Sequence, residues 1–303
     1  MIWRAPKYTG PERRKVPRWR PRPLRVLLVL LGVAATGYVG AALWLMVHEG
    51  QMVFQAVQTL GPARPPFPYE QVTIPRADSA RQFAWVMQQG DAEERPWALY
   101  LHGNPSTVAS VVNISHYELL RNVGLHVLAP EYRGFGGVEG TPSEAGLLAD
   151  ARAAYDYLRE HRRISGSRIV VYGWSLGGAV AIDLASRVEI AAVIIEGAPA
   201  SMVDIARQRY PFLPVRLLMQ HPFESLRKIQ GVSAPILLLH SPEDEVVPPD
   251  HARQLFEAAP GRKRLIEVRG GHVEASSVDG KRIERAIGAF LDEAGIRTAA
   301  GVP

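Results

Sequence analysis

Ile169 to Tyr172 is a short, β-branched apolar run, and Gly173-Trp174-Ser175-Leu176-Gly177 follows it without a break. From Gly178 to Ala185 the residues are small and apolar in a helical pattern. A buried strand, a sharp turn and a helix must therefore succeed one another here. That is the setting of a G-x-S-x-G nucleophile elbow. Glycine suits positions 173 and 177 because so tight a turn leaves no room for a Cβ. Ser175 Oγ should stand above the sheet edge, with the first-turn N–H groups aimed at a developing negative charge. A serine that only caps a helix is the competing reading, and the remainder of the chain has to decide between them.

Around this unit, strand-like and helix-like stretches alternate. Gln71 to Ile74 and Arg81 to Gln88 read as two opening strands. Strand Trp97–Leu101 precedes helix Ala109–Asn122, and strand Leu125–Ala129 precedes helix Ser143–His161. The elbow strand Arg168–Tyr172 and helix Ser175–Arg187 come next, then strand Ala191–Ile195. Strand Ile236–His240, helix Pro249–Ala259, strand Arg264–Val268 and helix Asp279–Ala294 close the series. Such alternation requires an α/β fold, a mostly parallel central sheet with helices on both faces. Its site should lie at the carboxyl ends of the strands. Residues 201–228 interrupt the order as an apolar insert broken by Pro211, Pro214 and Pro222. Too long for a tight loop, the insert should form one or two short helices as a small cap.

Ahead of this domain, Val26 to Val47 carries no charge over 22 residues. As a helix it would extend roughly 33 Å, enough to cross a hydrocarbon core. Residues 1–25 hold nine Lys/Arg and one acid, whereas the rest of the chain has 26 basic and 29 acidic residues. The overall basicity thus belongs to a tail and gives no ground for a nucleic-acid-binding domain. The same asymmetry sets the N-terminus in the cytoplasm and the remaining chain on the far, periplasmic or extracytoplasmic, side. A cleaved signal peptide is the rival reading, but the apolar run exceeds the usual 7–15 residues and no clean Ala-x-Ala site follows it. The expected organisation is a basic tail 1–25, a transmembrane helix 26–47, a linker 48–68, a catalytic domain 69–295 containing the insert, and a tail 296–303. The absence of cysteine excludes thiol nucleophiles and thiolate metal sites.

A serine nucleophile needs a base, and the base needs an orienting acid. Of nine histidines, only His272 lies after the last expected strand in a glycine-flanked loop, Gly270-Gly271-His272. Asp244, after strand Ile236–His240, is the acid that best suits a fixed bond to an imidazole. Glu243 and Glu245 are less suitable neighbours, and Glu196 competes from the end of the preceding strand. The chain order Ser, Asp, His favours Asp244. The oxyanion donors should be the backbone N–H groups of Leu176 and Asn104, with Gly103 permitting close approach. No metal-binding, phosphate-binding or dinucleotide-binding pattern occurs, so no cofactor is implied.

The domain resembles the α/β-hydrolase superfamily over Glu70 to Leu291. The resemblance rests on His102-Gly103-Asn104-Pro105, Glu131-Tyr132-Arg133-Gly134-Phe135-Gly136-Gly137, Pro142-Ser143-Glu144, Gly173 through Gly178, Glu243 through Pro248, and Gly271-His272. It is most similar to membrane-anchored, small-cap serine hydrolases near serine-aminopeptidase-like proteins and palmitoyl-protein thioesterases. The resemblance implies Ser175 as nucleophile, Asp244 as acid and His272 as base. Two departures stand out: Ser241 where the family often has glycine, and Glu131 where it often has aspartate. The expectation is an anchored serine hydrolase that cleaves esters or thioesters of small acyl or lipid-like substrates. A peptidase using the same residues and a catalytically silent binding module are the alternatives.

Overall fold

The computed structural model describes residues 1–5, 10, 23–90 and 95–296. Most of the basic stretch 1–25 and of the C-terminal stretch 296–303 lies outside them. Two compact units are present, Met1–Leu45 and Met46–Pro303.

Helix α1, Pro23–Phe54, begins in the first unit and ends in the second. Among the described residues it is the one helix long and apolar enough to cross a membrane. It does not stop with the apolar run at Val47 but continues through His48 and Glu49 to Phe54. Among its last residues, Glu49, Val53 and Phe54 are buried within the second unit.

That unit is built on an eight-stranded sheet. Strands β1 (Glu70–Pro75) and β2 (Arg81–Met87) form an antiparallel pair, and β2 runs antiparallel to β4. Then come β3 (Trp97–Leu101), α2 (Val111–Asn122), β4 (His126–Pro130) and α3 (Glu144–Asp156). A π-helical turn, Tyr157–His161, ends the expected helix Ser143–His161. The elbow follows as β5 (Ile169–Trp174) and α4 (Leu176–Ala185), then β6 (Ala192–Glu196). The insert forms three short helices rather than one or two: α5 (Met202–Arg209), α6 (Val215–Leu218) and α7 (Ser225–Lys228). Strand β7 (Ile236–His240), α8 (Asp250–Ala258), β8 (Lys263–Glu267), α9 (Ala275–Val278) and α10 (Gly280–Glu293) complete the chain.

The sheet order is β1-β2-β4-β3-β5-β6-β7-β8, parallel from β4 to β8. Its central strands β3 to β7 are buried along their whole length, which is why they read as continuous apolar runs. Alternate residues feed two cores. Leu99, Val171, Ile195 and Leu238 face α3, α4 and the insert. Tyr100, Tyr172, Ile194 and Leu239 face α2 and α10. Full burial of each such side chain contributes about 1.5–3 kcal/mol, so the carboxyl ends of β3, β5, β6 and β7 are held on a rigid frame.

Candidate active site

Ser175 occupies the turn between β5 and α4 with φ 54° and ψ −124°. A non-glycine residue rarely adopts this left-handed region and needs surrounding structure to hold it there. Its N–H donates to the Glu196 carbonyl at 2.8 Å, and its own carbonyl accepts from Gly178 N–H at 2.9 Å. The flanking glycines are sterically obligatory. A Cβ on Gly177 would lie 2.0 Å from the Leu101 carbonyl oxygen, and one on Gly173 would lie 2.3 Å from that of Gly177.

The loop after β8 carries His272 to this turn. Its Nε2 lies 2.8 Å from Ser175 Oγ, and its Nδ1 lies 2.7 Å from Asp244 Oδ2. Asp244 comes from the loop after β7, where its other oxygen accepts the Val246 and Val247 N–H groups at 2.9 and 2.8 Å. Burial would raise the Asp244 carboxyl. The His272 hydrogen bond and charge, the Val247 N–H and His240 together outweigh that and hold it below the ordinary aspartate range. The three residues are nearly buried, at 7% exposure for Ser175, 6% for Asp244 and 9% for His272. A hydroxyl, an imidazole and a carboxylate thus form one line of hydrogen bonds. Such a line can draw the hydroxyl proton onto imidazole while the carboxylate keeps the other ring nitrogen protonated.

The loop after β3 also runs beside Ser175. A Cβ on Gly103 would lie 2.6 Å from Ser175 Cβ, so only glycine lets this loop pass Ser175 so closely. Leu176 opens α4, where first-turn N–H groups have no helical acceptor. The Asn104 side chain turns away from Ser175, and its Nδ2 donates to the Val53 carbonyl at 2.5 Å. Two buried residues hold this loop: His102 Nε2 meets Glu131 Oε1 at 2.8 Å, and Glu131 Oε2 accepts the Val108 N–H at 3.0 Å. The longer side chain of Glu131, one of the departures from the family pattern, spans both partners. Nearby, Tyr132 is buried and Arg133 binds Asp150 at 2.6 Å, so both serve packing.

Glu196, the competing acid, lies elsewhere. Its carboxylate accepts from the Tyr172 hydroxyl and meets His116 Nε2 at 2.9 Å. Burial raises its carboxyl, but the His116 charge and hydrogen bond, Tyr172 and the His272 charge reverse this to a net lowering. The Trp174 ring lies 5.7 Å from both the His116 and the His272 ring, so both pairs pack against one indole. Sequence reading missed the partners of Glu131 and Glu196. The available signal was a carboxylate at the end of a largely apolar strand, which burial forces to find a donor. Among the described residues no group of three His, Asp or Glu side chains converges as a metal site.

Comparison with known proteins identifies the family and the fold. The model of the alpha/beta hydrolase family matches residues 98–230. The uncharacterised Mycobacterium tuberculosis protein Rv2307c is 34% identical over 226 residues, covering 74% of this chain and 80% of its own. The chain belongs to the alpha/beta hydrolase family. This hydrolase is also 31% identical over 240 residues to protein bem46 of Schizosaccharomyces pombe, covering 77% of this chain and 79% of that one. Among solved structures, the Pyrococcus furiosus esterase Pf2001 superposes with a TM-score of 0.66 at 21% identity, covering 78% of this hydrolase and 98% of the esterase. At that identity the likeness is one of fold.

Proposed function

We propose that this hydrolase cleaves carboxylic ester or thioester bonds through an acyl-enzyme, with Ser175 as nucleophile, His272 as base and Asp244 as orienting acid. The supporting observation is the hydrogen-bonded line from Ser175 Oγ through His272 to Asp244, at 2.8 and 2.7 Å. Ser175 Oγ attacks the substrate carbonyl carbon as its proton passes to His272 Nε2. The carbonyl oxygen gains the negative charge and is stabilised by the N–H groups of Leu176 and Asn104. Collapse of the tetrahedral species breaks the bond to the alcohol or thiol, which leaves with the proton from Nε2. Water then attacks the acyl-serine and gives its proton to Nε2. Release of the carboxylic acid returns a proton to Ser175 Oγ. Asp244 keeps its charge throughout and fixes the imidazole tautomer.

The apolar run Val26–Val47 is read as an uncleaved membrane span, with the N-terminus cytoplasmic and the catalytic domain on the far side. A small or lipid-like acyl substrate fits a site close to a bilayer. The test is a fluorophosphonate probe together with a chain-length series of p-nitrophenyl esters on the full-length protein. Labelling and turnover should both vanish in Ser175→Ala. Absence of labelling in folded wild-type protein would point instead to a binding module, and peptide cleavage without ester cleavage to a peptidase.

A further inference from the structure

The insert between β6 and β7 is bound to the end of α1, and its outer surface has the composition of a membrane-contact segment. Glu49 follows the charge-free run Val26–Val47 by two positions. Glu49 is 9% exposed, and its carboxylate accepts the backbone N–H of Gln220 at 2.8 and 2.9 Å and that of His221 at 2.8 Å. Phe54 packs edge-on against His221 at 4.9 Å and Phe223 at 6.1 Å. A carboxylate buried against two amides does not give way readily, since breaking it leaves a charge unpaired. The insert is therefore fixed to the residues that immediately follow the apolar run.

Phe212 is 82% and Leu217 83% exposed, both on this insert. Arg207, Arg209 and Arg216 on the same insert are exposed as well. Of these, Arg207 stands 3.9 Å from Asp204, and neither Arg209 nor Arg216 has an ion-pair partner among the described residues. Exposed Phe and Leu among arginines suit the boundary between acyl chains and anionic headgroups.

We infer that the outer surface of the insert, through Phe212 and Leu217 with Arg207, Arg209 and Arg216, contacts an anionic lipid bilayer. The inference rests on reading Val26–Val47 as a membrane span. The insert also leaves the sheet beside the site. The insert starts at Ser201, just after Gly197, where a Cβ would lie 3.3 Å from His272 Cε1.

Because the chain has no cysteine, single-cysteine labelling is clean. Full-length Phe212→Cys, Leu217→Cys, Leu31→Cys and Lys281→Cys would each carry an environment-sensitive fluorophore. They would be reconstituted in vesicles of phosphatidylcholine with and without phosphatidylglycerol, with folding checked by near-ultraviolet circular dichroism. Lys281 is 82% exposed on α10, on the other face of the sheet. The expected result is a blue shift and quenching by doxyl-labelled lipid at 212, 217 and 31 but not at 281. Quenching at 212 and 217 should increase with phosphatidylglycerol and fall in the triple variant Arg207→Glu/Arg209→Glu/Arg216→Glu. Quenching at 31 with 212 and 217 as wet as 281 would overturn the inference and leave the span standing. A blue shift at 212 and 217 without lipid quenching would assign the surface to a protein partner and overturn it equally. Loss of quenching at 31 as well would remove both readings.

Discussion

Two histidine–carboxylate pairs lie against the Trp174 ring, and they differ in what the second ring nitrogen meets. His272 presents Nδ1 to Asp244 and Nε2 to Ser175 Oγ. His116 presents Nε2 to Glu196 and Nδ1 to the Val112 carbonyl at 2.8 Å. A carbonyl oxygen only accepts, so it holds a proton on His116 and takes none away. A serine hydroxyl can give its proton up. The chemistry thus depends on the far partner of the imidazole, since both pairs are buried and both carboxylates are held below their ordinary range.

Four measurements would sharpen or break that contrast. Ser175→Ala should lower ester turnover on the order of 10⁶-fold, and Asp244→Asn about 10⁴-fold. Glu196→Gln should cost less than about 10²-fold, the range for an intact constellation slightly misplaced. Equal losses at 196 and 244 would erase the distinction. For stability the order reverses. Glu196→Ala leaves His116 and the Tyr172 hydroxyl buried without their partner and should cost about 3–5 kcal/mol in denaturant unfolding. Asp244→Ala should cost less, because His272 is more exposed than His116.

Acid titration probes both carboxylates together. Each has a folded pKa below its unfolded value of about 3.9 for Asp or 4.3 for Glu. Each therefore contributes stability that is fully present above that unfolded value and is lost as pH falls through the lowered folded one. Stability should decline below about pH 4, and less steeply in Asp244→Asn or Glu196→Gln. The smallest effect belongs to Glu131→Asp. The shorter carboxylate cannot reach both His102 and the Val108 N–H, and should lose about 0.5–1.5 kcal/mol with turnover little changed.

Much of this was legible from the residues in order. The alternating strands and helices predicted a parallel sheet, and the structure has one with β1 and β2 antiparallel at its edge. Local context singles out Ser175 and His272, chain order favours Asp244, and the fold brings the three within hydrogen-bond reach. Boundaries moved where tertiary contacts decided them. The stretch from His48 onward reads as a linker because charge ends the apolar run. Its helix nevertheless continues to Phe54, because Glu49 finds amide donors at 220 and 221 and Phe54 a buried site. The insert became three helices because its prolines divide it.

What the sequence determined by itself was whatever depends on near neighbours. It set the turn that only glycine fits at 173 and 177, the strands that read as apolar runs, and the 22-residue charge-free segment. What only the tertiary structure decided was the pairing of polar groups far apart in the chain. His272 goes to Asp244, Glu196 to His116, Glu131 to His102 and Glu49 to Gln220. A turn is selected by sterics within a few residues. A buried charge is satisfied by whichever donor the packed sheet brings within about 3 Å, and no spacing along the chain encodes that.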